Sequence, residues 1–186
     1  ANLTDSENRY HTLFDNAGDA IFLVKDGCFV ECNPATLEVF GCGREEIINS
    51  TPQRFSPKYQ TDGRLSSEKA LEKINAAYDG KPQFFEWRHL RCNGTEFDAE
   101  VSLNKVVIAN NVHLLAAVRD ITERKEIEKK LEYQAKHDLL TNLPNRLLLH
   151  ESFKHFADQA NAKNNCVALL LFDLDRFKEI NDTLGH

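Results

Sequence analysis

The stretch Phe84–Leu103, FFEWRHLRCNGTEFDAEVSL, alternates apolar and polar residues on both sides of Asn93-Gly94. That is the pattern of a β-hairpin with one buried face. A two-residue loop at Asn93-Gly94 sets Leu90 against Phe97 and puts Glu86 and Arg88 on the apolar face of Ala99 and Val101. A three-residue loop, Cys92-Asn93-Gly94, pairs His89 with Phe97, Trp87 with Ala99 and Phe85 with Val101. It also sets Arg88 opposite Asp98 on the outer face, a favourable cross-strand pair. Burial of one face fixes register, so the second pairing is expected, with Gly94 left-handed in a bulge.

Working outward, AIFLVKDGCFVECN (residues 20–33) is a second hairpin turning at Asp26-Gly27. Asn33-Pro34 opens a short helix over Ala35–Phe40 with Asn33 as its N-cap. Arg44–Ile48 is a helical turn. Ser66–Tyr78 is a surface helix with Leu71, Ile74 and Ala77 as its apolar stripe, ended by Asp79-Gly80. A last strand, Val112–Val118, turns Leu114, Ala116 and Val118 inward. Residues 1–19 form a helical lead-in with Tyr10, Leu13 and Phe14 at helical spacing. The sum is an antiparallel α+β module of five strands and small helices around an apolar hollow.

The chain has 186 residues, 23 basic and 29 acidic, for a net charge of −6. That length allows one domain or two small ones. The acidic balance argues against a nucleic-acid binder. The longest strongly apolar run, Val167–Phe172, is too short to cross a membrane, and the polar opening Ala1–Asn8 does not read as a secretory signal. A cytoplasmic location without membrane contact is expected. Five cysteines, Cys28, Cys32, Cys42, Cys92 and Cys166, form no CxxC pair. Zinc or thioredoxin-type chemistry is therefore not expected, and the thiols are read as reduced. Cys28 and Cys32, four apart on one strand, are expected on one face but too far apart to join.

The order of these elements, with "NPAT" at residues 33–36, the long hairpin and "VRDITERK" at residues 118–125, resembles a PAS sensor domain, here residues 20–122. The resemblance implies a small ligand or cofactor in the hollow, or a dimerisation role. Light-sensing relatives attach flavin to a cysteine after the first helices. The corresponding residues 50–64, STPQRFSPKYQTDGR, contain none. Haem-binding relatives use a histidine on the long helix, and Ser66–Tyr78 has none. Neither flavin nor haem is expected. The inward positions Phe85, Trp87, His89, Phe97, Val101, Leu114, Ala116 and Val118 are the candidate pocket wall. His89 is either a core histidine or the partner of a ligand carboxylate or carbonyl.

Residues 123–136, ERKEIEKKLEYQAK, form a charged helix. Asp120 and Glu123 have the spacing of a capping box. Ile127, Leu131 and Ala135 make one apolar stripe. A helix this polar is marginal alone. It is read either as half of a parallel coiled coil in a homodimer or as a seam against its own domain.

HDLLTNLPNRLLL (residues 137–149) and LLLFDLDRFKEINDTLGH (residues 169–186) resemble the start of a GGDEF domain, the family of cyclases that join two GTP molecules into cyclic di-GMP. In the residues themselves, Pro144 favours the first turn of a helix. Leu149, Phe153, Phe156 and Ala160 continue at helical spacing. Val167–Phe172 reads as a strand buried on both faces. The fold class is thus a PAS-like sheet, a helical linker and the truncated first helix and strand of an α/β domain, residues 137–186. By resemblance, Asp173 and the carbonyl of Leu174 would hold Mg²⁺, and Arg176, Phe177 and Lys178 would contact GTP phosphate. Asn181 would contact guanine. Asp175 belongs to the motif without a metal role. No Gly-Gly-Asp/Glu-Glu-Phe run occurs in the sequence, so this chain alone is expected to make no cyclic di-GMP. Two functions compete. One is a sensor controlling an active cyclase. The other is a binding and dimerisation module joined to a degenerate GTP-binding or phosphodiesterase-regulating domain.

Overall fold

The structure, a computed structural model, describes residues 3–173 and 175, with side chains from residue 8. The chain divides into two units between Ile127 and Glu128.

The first unit opens with helix α1 (Leu3–Asp15), then strands β1 (Ala20–Lys25) and β2 (Cys28–Cys32). Helices α2 (Pro34–Phe40) and α3 (Arg44–Ile47), a 3-10 turn at Pro52–Phe55 and helix α4 (Ser66–Tyr78) follow. Strands β3 (Gln83–Leu90), β4 (Glu96–Ile108) and β5 (Asn111–Asp120) complete an antiparallel sheet of order β2-β1-β5-β4-β3.

The β3–β4 hairpin has the register that the face-matching argument selects. His89 pairs with Phe97, Trp87 with Ala99, Phe85 with Val101 and Arg88 with Asp98. The Arg91 amide donates to the Thr95 carbonyl at 2.8 Å, enclosing Cys92, Asn93 and Gly94, and Gly94 has φ +84°. Positive φ is reached without steric cost only by glycine. On the outer face Arg88 Nε lies 3.3 Å from Asp98 Oδ1. Gln60 closes the free edge of β3. Its side-chain amide donates to the Arg88 carbonyl at 3.1 Å and accepts from the Arg88 amide at 2.8 Å, as a neighbouring strand would.

Asn33 holds three elements together. Its Oδ1 accepts from Thr36 N, capping α2, and from Ile21 N in β1. Its Nδ2 donates to the carbonyls of Phe14 and Asp19. Pro34 takes the first helical position.

Three local expectations change. In β2 the register slips, so that Leu23 faces Glu31 while Val24 faces Phe29. The extra residue, Val30, inverts the alternation: Phe29 and Cys32 turn inward, and Cys28 does not share the face of Cys32. On α4 the buried stripe is Ser66, Ala70 and Ala77 with Ile74 beside it, while Leu71 points to solvent at 56% exposure. Small residues let the helix approach the sheet closely. At the end of β5 the carboxylate of Asp120 accepts from Thr122 N at 2.9 Å, not from Glu123, so no capping box forms. Helix α5 (Thr122–Lys136) starts one residue earlier than expected.

In the second unit, His137 and Pro144 form an isolated bridge that closes a loop, and helix α6 (Arg146–Ala162) follows. Asn145, not Pro144, governs its start: Asn145 Oδ1 accepts from the amides of Leu147 and Leu148, so Pro144 lies before the cap. Val167–Phe172, expected as a buried strand, has no strand pairing and is exposed throughout, Phe172 at 86%. A strand exists only through the ladder a neighbour supplies, and none of the described residues supplies one. No described helix is long and apolar enough to cross a membrane.

Candidate functional site

The inner face of the sheet, α4 and the 3-10 turn line a partly open cavity of about 70 Å³. Seven of the eight pocket positions expected from sequence lie on its wall: Phe85, Trp87, His89, Val101, Leu114, Ala116 and Val118. Phe97 does not. It is buried behind His89, with ring centroids 5.4 Å apart, and the Arg91 guanidinium lies over its ring, 4.3 Å from the centroid. Sequence reading missed the rest of the lining: Phe22, Phe29 and Leu103 from the same sheet, Phe40 from α2, Phe55 from the 3-10 turn and Ile74 from α4. Phe40 is the hub, edge-on to Phe22, Phe55, Phe97 and His89 at 5.3–5.4 Å. The spacing of phenylalanines along β1, β2 and α2 was the available signal, but only the fold converges them.

Polar groups on this wall are few. Trp87 Nε1 donates to Ser56 Oγ at 3.0 Å, and Ser56 Oγ donates to the Pro52 carbonyl at 3.2 Å. Lys73 Nζ reaches Gln83 Oε1 at 3.3 Å and lies over the Phe85 ring. His89 Nδ1 is 3.1 Å from the Phe55 carbonyl, and its Nε2 is buried with no partner. Burial pushes His89 down to about 4, against the pull of the Phe55 carbonyl. A carbonyl only accepts, so Nδ1 carries the hydrogen and Nε2 of the neutral ring is a bare acceptor. In that tautomer Nε2 suits a hydrogen-bond donor better than the ligand carboxylate or carbonyl that the sequence left open beside a core role, because two acceptors repel.

The wall is coupled to α5 through its own strands. Ile121 is buried, and its amide donates to the Asp98 carbonyl at 2.9 Å. Lys125 Nζ pairs with Glu86, and Arg124 pairs with Glu100 at 2.9 Å. Arg91 Nη2 meets Asp120 Oδ2 at 2.5 Å while Nη1 donates to the Val39 carbonyl. Burial alone would raise the Asp120 carboxyl, but hydrogen bonds from Thr122 and Arg91 outweigh it and hold it below its ordinary value. Further along α5, Ile127 and Leu131 are exposed.

A second cluster joins the α2–α3 turn to the hairpin loop. One donor atom each from Cys42, Glu46 and Cys92 lies within 4.8 Å of the others. Burial, then the hydrogen bond with Cys92, pushes the Cys42 thiol up to about 12. No disulfide forms among the described cysteines. Residues 50 apart in sequence give no spacing rule to find such a group. Three donors fall short of the four of a closed structural zinc site.

In the second unit Asp173 and Asp175 are exposed. Leu174, Arg176, Phe177, Lys178 and Asn181 lie outside the described residues, so their assigned roles rest on resemblance.

Comparison with known proteins joins these observations. Residues 18–123 match the family described as PAS domain. The chain belongs to the PAS domain family. Residues 135–186 match "Diguanylate cyclase, GGDEF domain", so a PAS domain is followed by GGDEF sequence. The chain is similar to the probable diguanylate cyclase DgcE of Escherichia coli K12, 26% identical over 99% of this chain and 17% of that protein. It is 31% identical to diguanylate cyclase DgcM of the same strain, over 87% of this chain and 38% of that protein. The cyclic di-GMP phosphodiesterase PdeR of that strain is 36% identical over 41% of this chain and 11% of its own length. This chain therefore spans well under half of each relative. Among solved structures, the PAS domain of an HTR-like protein from Haloarcula marismortui superposes with TM-score 0.55 at 22% identity, covering 64% of this chain and 94% of that one. A PAS domain from Colwellia psychrerythraea gives 0.55 at 22%, covering 64% and 100%. These two likenesses support the fold alone.

Proposed function

We propose that residues 20–122 sense a small molecule in the PAS hollow and that residues 123–136 pass its state to a diguanylate cyclase domain that begins at residue 137. The observation that carries this is the continuous connection from β5 into α5. The first turn of α5 is bonded to Asp98 and ion-paired to Glu86 and Glu100, on the same two strands that supply Trp87, His89 and Val101 to the cavity. A shift of β3 against β4 therefore moves the helix start. Two GTP-loaded cyclase domains must meet to form one product, so the geometry of a homodimer is a natural point of control. The exposed Ile127 and Leu131 are the proposed dimer seam. Ile127→Asp should shift the protein towards monomer in sedimentation.

In the cyclase segment, Asp173 with the Leu174 carbonyl would hold Mg²⁺. The carboxylate is the hard oxygen donor that this ion takes, and one described side chain is not a complete set. Bound there, the ion would neutralise charge on the transferring phosphate. Arg176, Phe177 and Lys178 would position the phosphates, and Asn181 would read guanine. The test is a protein extended through a GG(D/E)EF loop, incubated with GTP and Mg²⁺. Cyclic di-GMP should form, and Asp173→Asn should reduce turnover at least about a hundredfold. GTP binding without product would favour the degenerate reading instead.

A further inference from the structure

Among the described residues, two buried side-chain polar atoms have no hydrogen-bond partner, Tyr78 Oη and His89 Nε2. Only His89 belongs to the wall of the hollow. An orphaned acceptor inside a folded core is costly and calls for an occupant that pairs it. We infer that the hollow takes a small, uncharged molecule that donates one hydrogen bond to His89 Nε2, of the class of short-chain alcohols. This rests on reading the hollow as the sensing site and adds the chemistry of what is sensed.

Three observations fix that chemistry. The sign of the polar contact comes from Phe55, whose carbonyl claims the hydrogen on Nδ1 at 3.1 Å and leaves Nε2 to accept. Charge is excluded by the surroundings. The rings of Phe40, Trp87 and Phe97 flank the imidazole, and the nearest wall hydroxyl, Ser56 Oγ, is engaged with Trp87 and Pro52. An anion beside the imidazole would lose its hydration, and the one cation on this wall, Lys73, is already bonded to Gln83 Oε1 and seated over the Phe85 ring. Size follows from volume: about 70 Å³ is half of the roughly 150 Å³ that holds benzene in an apolar protein cavity, so the occupant has about three to five non-hydrogen atoms. Water fits the volume, but it needs two to four polar partners, and around the imidazole Nε2 is the one buried wall atom without a partner among the described residues.

The test uses 2-propanol, acetone and acetate, which share one branched shape and differ in donor, acceptor and charge. Trp87, the sole tryptophan, lies 6.5 Å from His89 and reports binding by fluorescence. The ¹⁵N shift of His89 reports each ring nitrogen. We expect saturable binding of 2-propanol with a shift at Nε2, acetone about tenfold or more weaker, and no acetate binding. His89→Phe should abolish the preference for alcohol over ketone. Should that variant fail to fold, the wild-type ranking still decides. Equal binding of acetone and 2-propanol, preference for acetate, or an Nε2 already hydrogen-bonded to water and unmoved by alcohol would overturn the inference. Control of the cyclase is read separately as cyclic di-GMP output of the extended protein. Alcohol selectivity without any change in output would refute the sensing role and leave the ligand chemistry standing.

Discussion

Asn33 and Asn145 do the same local task in the two halves of the chain. Each caps a helix through its side-chain oxygen, α2 in one case and α6 in the other. Asn33 is fully buried and bonds to α1, β1 and the Asp19 loop as well, whereas Asn145 reaches Ala135 near the surface. The apolar runs differ in the same way. Phe22–Val24 is paired on both edges by β2 and β5, while Val167–Phe172 is paired on neither. Local signals such as caps and turns act wherever the sequence places them. Burial needs a neighbour, and only the first half has its neighbours among the described residues.

The contrast is tested most severely by removing a phenyl ring from each run. Phe22 is 1% exposed and packs on Phe29 and Phe40, so Phe22→Ala should cost about 3–5 kcal/mol in urea unfolding. Phe172→Ala should change stability by no more than about 0.5 kcal/mol. Comparable losses at both positions would show that the second run is packed in solution.

The two caps give the next largest difference. Asn33→Ala leaves the Ile21 amide and the Phe14 and Asp19 carbonyls unpaired beneath the surface, at a cost of about 3 kcal/mol. Asn145→Ala removes an accessible cap, whose amides water can reach, at about 1 kcal/mol. Equal costs would mean that Asn33 is a cap and nothing more.

Much of the first half was legible because its signals are short-range. Asp26-Gly27, Asn33-Pro34 and the Cys92-Asn93-Gly94 loop each state a backbone conformation, and alternation around the last fixed the register. The bulge at Val30 was not legible, because no residue type there demands it. The β4–β5 turn was hidden too, since Ala109 adopts φ +46° without being a residue that favours it. On α4, Leu71 outranked Ala70 in apolarity, yet close approach to the sheet favours the smaller residue. The phenylalanine wall of the cavity and the Cys42/Glu46/Cys92 group depend on contacts between distant segments. The orphaned Nε2 of His89 depends on one carbonyl, that of Phe55, which no pattern reveals.

That histidine makes the first half sensitive to acid. The folded state holds His89 at about 4, below the ordinary 6.5 of an unfolded chain. The unfolded state therefore binds the proton more readily, so the contribution is complete above about pH 6.5 and is lost as pH falls towards 4. Its ceiling is about 3 kcal/mol. The stability of wild type relative to His89→Leu should fall as pH drops through this window. A constant difference between them would show that His89 is not held neutral.

The smallest contrast lies in two turns. Gly94 in the β3–β4 loop has φ +84°, and a β-carbon there would meet nothing within 4 Å. Gly94→Val should thus cost about 1 kcal/mol or more purely through the backbone, because a β-branched residue resists positive φ. Asn142, in the loop before α6, has φ +55° and already pays part of that penalty as one of the better-tolerated non-glycine residues. Asn142→Gly relieves it but gives the unfolded chain more freedom, so the net change should stay within about 0.5 kcal/mol. Paired unfolding curves of the two variants check both. If Gly94→Val were neutral, the loop would have an alternative with negative φ. The register that places Trp87 and His89 on the inner face would then rest on burial alone and not on the turn.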